Sequence, residues 1–273
     1  MFSADNQQGR FAQAKTLRDY TPNTSTMNRA TATLIGLLYT DGCLSPKGKS
    51  SWRFYFSNKS ERLVAIFRES MMQCFALPSS RVRLGKTNDG LYRALVDSKE
   101  IGAALTQKFG TFRTLRYKNG EFPKASLPVQ ELLQHSVAED FLRAAFSCDG
   151  GVNLYSAQRK GEKSRFLIRG VYLACVHPIL RKQYCELLSA LGIKSRNVAG
   201  DGKIKIETKD DIQMFYNKVG FLKGVHITHT SRFWPNVEKQ TLLERVIQSY
   251  ESPRAVYSLP QFDRKDPVGH LTG

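Results

Sequence analysis

Between residues 28 and 250 the hydrophobic pattern alternates between a helical period and a two-residue period. The first segment is apolar all round, Leu34-Ile35-Gly36-Leu37-Leu38-Tyr39-Thr40-Asp41-Gly42, and reads as a buried helix capped at Thr26 or Asn28 and stopping at Gly42. A hairpin is expected over 43–57, turning at Pro46-Lys47-Gly48-Lys49. In its second strand Trp52, Phe54 and Phe56 alternate with Arg53, Tyr55 and Ser57, so one face is core and the other meets something polar. Residues 61–77 carry Leu63, Ile66, Phe67, Met71, Cys74 and Phe75 at helical spacing, and Pro78 ends that helix. A second hairpin, 81–86 and 91–97, turns at Asn88-Asp89-Gly90, and a helix over 99–109 follows.

Residues 110–128 have no period and hold two prolines and two glycines, which marks a linker. Beyond it the order returns. Ser136-Val137-Ala138-Glu139 fits a capping box for a helix ending in Leu142-Arg143-Ala144-Ala145-Phe146-Ser147-Cys148-Asp149-Gly150. A hairpin follows over 151–175, then a helix over 178–191, a hairpin over 194–208 through Gly200-Asp201-Gly202, a helix over 210–219 and a last helix over 236–250. The spacing holds along the whole half: Asp41 to Asp149 is 108 positions, and Lys108-Phe109-Gly110 returns 110 positions later as Lys218-Val219-Gly220. The predicted fold class is therefore α/β of the α+β kind, two pseudo-symmetric αββαββα repeats, each with an antiparallel four-stranded sheet. The expected division is an arm over 1–27, a first repeat over 28–122, and a second repeat with a C-terminal helix and tail over 123–273.

Both repeat helices end in Asp-Gly, and in each two small residues lie one turn apart, Gly36 and Thr40 in the first, Ala144 and Cys148 in the second. Such a stripe lets two backbones approach closely. One Asp-Gly is ordinarily a turn; two at the same place in a repeat, each putting a carboxylate at the helix end that disfavours negative charge, need another reason.

Charge narrows the partner. Forty-one Lys and Arg against 24 Asp and Glu give a net charge of +17, which favours a polyanion, nucleic acid first. The longest apolar run is far short of the roughly 18–20 residues that span a bilayer, so no membrane association is expected. Residues 1–27 lack an apolar core, so no secretory signal is expected. Five scattered cysteines without a Cys-x-x-Cys pair suggest neither disulfides nor zinc, and an intracellular location with genomic or organellar DNA, cytoplasmic if the host is prokaryotic. Strand alternation marks the residues available to DNA: Arg53, Tyr55, Arg81 and Arg83 in the first half, and Asn153, Tyr155, Arg165, Arg169, Lys203 and Lys205 in the second. A two-stranded ribbon fits the major groove, where Arg and Lys read guanine and Asn reads adenine.

The first Asp-Gly helix resembles the LAGLIDADG motif of the homing endonucleases at its hydrophobic, glycine and aspartate positions. The second keeps the aspartate-glycine end and departs with Arg143 and Ala144. The resemblance, of the monomeric two-motif type, covers residues 28 to about 225. It implies a saddle of two sheets joined across the motif helices, with Asp41 and Asp149 side by side on its floor. It further implies divalent cations, Mg²⁺ or alternatively Mn²⁺ or Ca²⁺, held by Asp41, Asp149 and main-chain oxygens at Gly42 and Gly150. The implied activity is hydrolysis of both strands of a long asymmetric DNA target. The family also implies an assisting cation downstream of each repeat, for which Lys124 and Lys223 are the candidates, with Lys118, Arg116 and Arg232 as competitors.

Two other functions share the fold: an RNA maturase that assists intron splicing, with intron RNA as partner, and a non-cleaving DNA-binding regulator. The regulator would be expected to have lost an aspartate. Self-splicing is not expected, since Met1 is no splicing nucleophile and His270-Leu271-Thr272-Gly273 lacks a terminal His-Asn.

Overall fold

The computed structural model describes residues 27–47, 51–158, 161, 165–251 and 261–262. All but the last residue of the arm expected over 1–27, the turn at Gly48-Lys49 and most of the polar tail lie outside the described residues. Asn28 caps α1 (Arg29–Leu38), its side-chain oxygen accepting from the Thr31 amide at 2.9 Å. Because α1 is apolar on every side it is buried on every side, as Leu34, Ile35, Leu37 and Leu38 all show.

After α1 come β1 (Gly42–Lys47), β2 (Ser51–Asn58), α2 (Glu61–Phe75), β3 (Arg83–Lys86), β4 (Tyr92–Asp97) and α3 (Lys99–Phe109). The strands form an antiparallel sheet in the order β1-β2-β4-β3. The second half supplies α4 (Val129–Gln134), α5 (Ala138–Asp149), β5 (Gly150–Gln158), β6 (Arg165–Ala174), α6 (Pro178–Ala190), β7 (Arg196–Val198), β8 (Lys203–Ile206) and α7 (Lys209–Lys218). Its sheet has the same internal order, β7-β8-β6-β5, extended by a two-residue parallel strand β9 (Gln261–Phe262). α8 (Lys239–Glu251) packs against α7, β5 and β6. The duplicated α+β architecture is as the pattern predicts. No helix among the described residues is long and apolar enough to cross a membrane.

The alternation in β2 is realised: Phe54 and Phe56 are fully buried, and Arg53 and Tyr55 are turned to the open face. One apolar cluster runs through both halves, from Phe54, Phe56 and Phe67 across Leu34, Phe141 and Phe146 to Leu173, Ile204 and Phe215.

Three local readings are corrected. Ser136 does not cap α5. It takes the left-handed conformation (φ 54°) that closes α4, with its amide on the Leu133 carbonyl and the Val137 amide on the Leu132 carbonyl, so Val137 precedes α5 without a side-chain cap. α4 itself lies between the linker expected over 110–128 and the helix expected from Ser136, where no element is predicted. Arg81 belongs to a 3₁₀ turn, Ser79–Arg81, and not to β3, and Leu84, on the other face of that edge strand from Arg83, is 55% exposed.

Candidate active site

α1 and α5 cross through their small residues. A Cβ placed on Gly36 would lie 2.6 Å from the Phe141 carbonyl oxygen and 3.0 Å from the Ala144 Cβ, so only glycine permits this approach. Thr40 closes the last turn of α1 by donating to the carbonyls of Gly36 (3.1 Å) and Leu37 (3.0 Å). Ser147 does the same in α5 by donating to the Arg143 carbonyl at 2.6 Å. The crossing therefore brings the ends of both helices together, at Asp41-Gly42 and Asp149-Gly150, each leading directly into the first strand of its repeat.

The two carboxylates are half-buried and sense one another. Burial first, and then the charge of Asp41, raise the Asp149 carboxyl to about 7, against the opposing pull of Lys239. Asp41 is also raised by burial, but Asn58 donates to its Oδ2 at 2.7 Å, and this bond and Lys239 favour the ionised form. Two repeated helices crossing at a glycine, with an aspartate at the end of each and sheets of matching order, β1-β2-β4-β3 and β5-β6-β8-β7, settle the architecture. The chain has the duplicated α+β fold that its resemblance to the LAGLIDADG family implies.

Solved structures similar to it include mesophilic variants of the homing endonuclease I-DmoI, at 18% identity over 70% of this chain and 90% of that one (TM-score 0.45). The homing endonuclease I-WcaI bound to its DNA recognition sequence is similar at 17% identity over 80% and 93% (TM-score 0.49). A mutant of I-SmaMI is similar at 9% over 82% and 92% (TM-score 0.48). No family model matches the chain, and no curated protein does.

Among the described residues the cation that acts on both aspartates is Lys239, at the start of α8, which the sequence did not single out. Its side chain is buried, and Nζ donates to the carbonyls of Ser147 (2.7 Å) and Gly150 (2.7 Å), with Cys148 at 3.4 Å. Burial lowers its pKa while Cys148, Asp149 and Asp41 pull the other way. An ammonium at the C-terminal end of α5 also answers the helix dipole that Asp149 opposes. Lys239 shares the buried stripe of α8 with Leu242, Leu243 and Val246, and a lysine at that phase of an apolar helix was the available signal. Lys124 and Lys223 are exposed, and neither ammonium makes a hydrogen bond or ion pair among the described residues. Gly150, expected to offer a main-chain oxygen to a cation, gives it to Lys239.

Among the described residues no three His, Cys, Asp or Glu side chains gather around one point. The donors left at the helix ends are the two carboxylates, all-oxygen ligands that suit Mg²⁺, Mn²⁺ or Ca²⁺ better than zinc. Two half-buried carboxylates, both raised by burial and one raised further by the other's charge, fit a cation between them.

The sheet faces divide the candidate DNA-binding residues. On the first sheet, strand pairing places Lys47, Arg53, Tyr55, Arg83, Arg93 and Asp97 on the open face. On the second, Asn153 opposite Gly170, Tyr155 opposite Ile168, and Tyr172 opposite Lys205 set the open face, to which Lys203 and Arg196 also belong. Tyr155 stacks on Phe233 at 5.0 Å. Arg165 and Arg169 do share a face, as predicted, but it is the helix-packed one. They stand in phase with Val171 and Leu173, and Arg169 donates to Oγ (2.7 Å) and the carbonyl (2.8 Å) of Ser249 in α8, with its guanidinium 4.4 Å from the Tyr250 ring. Arg165 bonds Ser156 Oγ of the neighbouring strand at 2.9 Å. Arg169 is thus spent on packing.

Proposed function

We propose that this chain is a site-specific, double-strand DNA endonuclease that acts as a monomer on a long asymmetric target. The observation that supports it most directly is the pair of half-buried aspartates, each at the end of a motif helix, one raised to about 7 by burial and by the other's charge. Asp41 and Asp149 would hold divalent cations, which when bound supply an activated water and neutralise charge at the leaving oxygen. Asn58 orients Asp41 and favours its ionised form against the burial that raises its pKa. Lys239 fixes the carbonyls on either side of Asp149 and supplies positive charge beside both carboxylates, the part assigned from sequence to Lys223. Lys124 remains the candidate in the first repeat.

The open sheet faces would follow the major groove on either side of the site, with Arg53, Arg83 and Arg93 over one half-site and Asn153, Lys203 and Lys205 over the other. Since the two faces carry different residues in one chain, the half-sites differ and no two-fold symmetry is imposed on the target.

The test is selection from a randomised duplex library of about two helical turns, followed by incubation of the enriched sequence with Mg²⁺. One asymmetric sequence should be enriched and cut on both strands, and EDTA should prevent cutting. Binding without any strand break would move the chain to the regulators. A preference for single-stranded intron RNA over duplex would move it to the maturases.

A further inference from the structure

The open face of the first sheet carries one acid among its cations. Asp97, at the end of β4, receives Arg53 Nε on Oδ1 at 2.9 Å, and on Oδ2 it receives Lys47 Nζ at 2.8 Å and Arg83 Nη2 at 2.7 Å. The three cations come from three different strands, β1, β2 and β3, so one carboxylate ties together side chains from across the sheet. The Asp97 side chain is only 19% exposed, whereas those of Lys47, Arg53 and Arg83 are 48%, 37% and 61% exposed. The acid lies low on the face and the cations stand above it.

Such partly exposed pairs contribute little to folding. Their effect is on placement. Lys47, Arg53 and Arg83 are long, rotamer-rich side chains, and a free lysine or arginine on a sheet would meet whichever phosphate lay nearest. Held at one carboxylate, they present a fixed constellation, and Arg83, which gives Asp97 only one Nη, keeps the rest of its guanidinium to donate elsewhere. The carboxylate also removes one unit of positive charge from the face, which weakens contact with any duplex regardless of sequence.

Resting on the proposed DNA reading, we infer that Asp97 is a specificity-determining positioning residue, which holds Lys47, Arg53 and Arg83 in register for one end of the first half-site and suppresses sequence-blind binding. Affinity and selectivity should therefore move in opposite directions when it is removed. The measurement is equilibrium binding in EDTA, at fixed salt, of wild type, Asp97→Ala, Asp97→Asn and Asp97→Glu to the selected target, to the target with each base pair changed in turn, and to random duplex. Asp97→Ala should bind random duplex about threefold to tenfold more tightly, as expected for one charge gained. Its discrimination should drop about tenfold, the size of one lost base contact, at a few adjacent positions of one half-site only. Asp97→Asn should show the same pattern more weakly, and Asp97→Glu should restore part of the discrimination. An unchanged discrimination profile in folded Asp97→Ala and Asp97→Asn, or an equal loss of affinity for target and random duplex, would overturn the inference while leaving the endonuclease reading intact. If the wild type itself selects no duplex sequence, both fail together.

Discussion

Replacing Gly36 by alanine sets two effects of opposite sign against each other. In a helix interior the change is worth about 1 kcal/mol in favour of folding through helix propensity alone. At the α1–α5 crossing, however, the new methyl would sit 2.6 Å from the Phe141 carbonyl oxygen and 3.0 Å from the Ala144 Cβ. The first neighbour is main chain in the middle of a helix and cannot rotate aside, so α5 must move away by several tenths of an ångström. Overpacking of this kind costs about 1–3 kcal/mol, and separating two helices buried on their facing sides adds lost contacts along the seam. The expected net result for Gly36→Ala is a loss of about 1–2 kcal/mol, read as a lower urea midpoint with an unchanged slope. Gly85→Ala is the control: a methyl there meets nothing within 4 Å, so it should be neutral or slightly stabilising. A Gly36→Ala protein as stable as wild type would refute the tight crossing, and with it the argument that brings Asp41 and Asp149 together.

The remaining predictions concern the site and the sheet faces. Asp41→Asn and Asp149→Asn should each abolish double-strand cleavage and leave target binding largely intact; undiminished cleavage by either would sink the proposed chemistry. Because the Asp149 carboxyl is raised to about 7, the folded state holds its proton where the unfolded chain has released it. Its contribution to stability in EDTA should therefore be full below about pH 4 and be lost as pH rises through about 7, and the stability difference between wild type and Asp149→Asn should follow that course in calorimetry. Lys239→Met should slow cleavage by about 10²-fold or more and also lower stability, since the Ser147 and Gly150 carbonyls lose their donor. Lys223→Met and Lys124→Met, assayed in parallel, should retain wild-type stability. Arg169→Ala should destabilise by about 1.5–3 kcal/mol through its lost bonds to Ser249 without changing the salt dependence of DNA binding, whereas Lys205→Ala should reduce that salt slope by about 1; the reverse pattern would mean the faces are misassigned.

Much of the fold was legible because local signals and the repeat agreed. The Asn88-Asp89-Gly90 turn, the alternation through Phe54 and Phe56, and the 108-position return of Asp-Gly each named an element or a symmetry. Ser136 misled because the same residue type that caps a helix can also end one, and which it does depends on α4, too short at six residues to show a period. The face of Arg165 and Arg169 could have been found from their phase with Val171 and Leu173 alone. Asn58 and Lys239 could not be found by spacing to Asp41 or Asp149, since one arrives across a hairpin and the other from a helix that follows the repeat. Asp97 looked like the end of a strand until the pairing register put it opposite Arg53.

The two repeats hold their aspartates by different means, and this limits how the chain can be taken apart and recombined. Asp41 is held by Asn58, from within the same αββ segment. The end of α5 leans on Lys239, which lies beyond the last element of its own repeat. A chimera that kept the first repeat could exchange it as a self-contained cassette, ending in the stretch after α3. A chimera that borrowed the second repeat would have to carry α8 with it, or it would transplant a sheet together with a helix end whose oxygens face no cation.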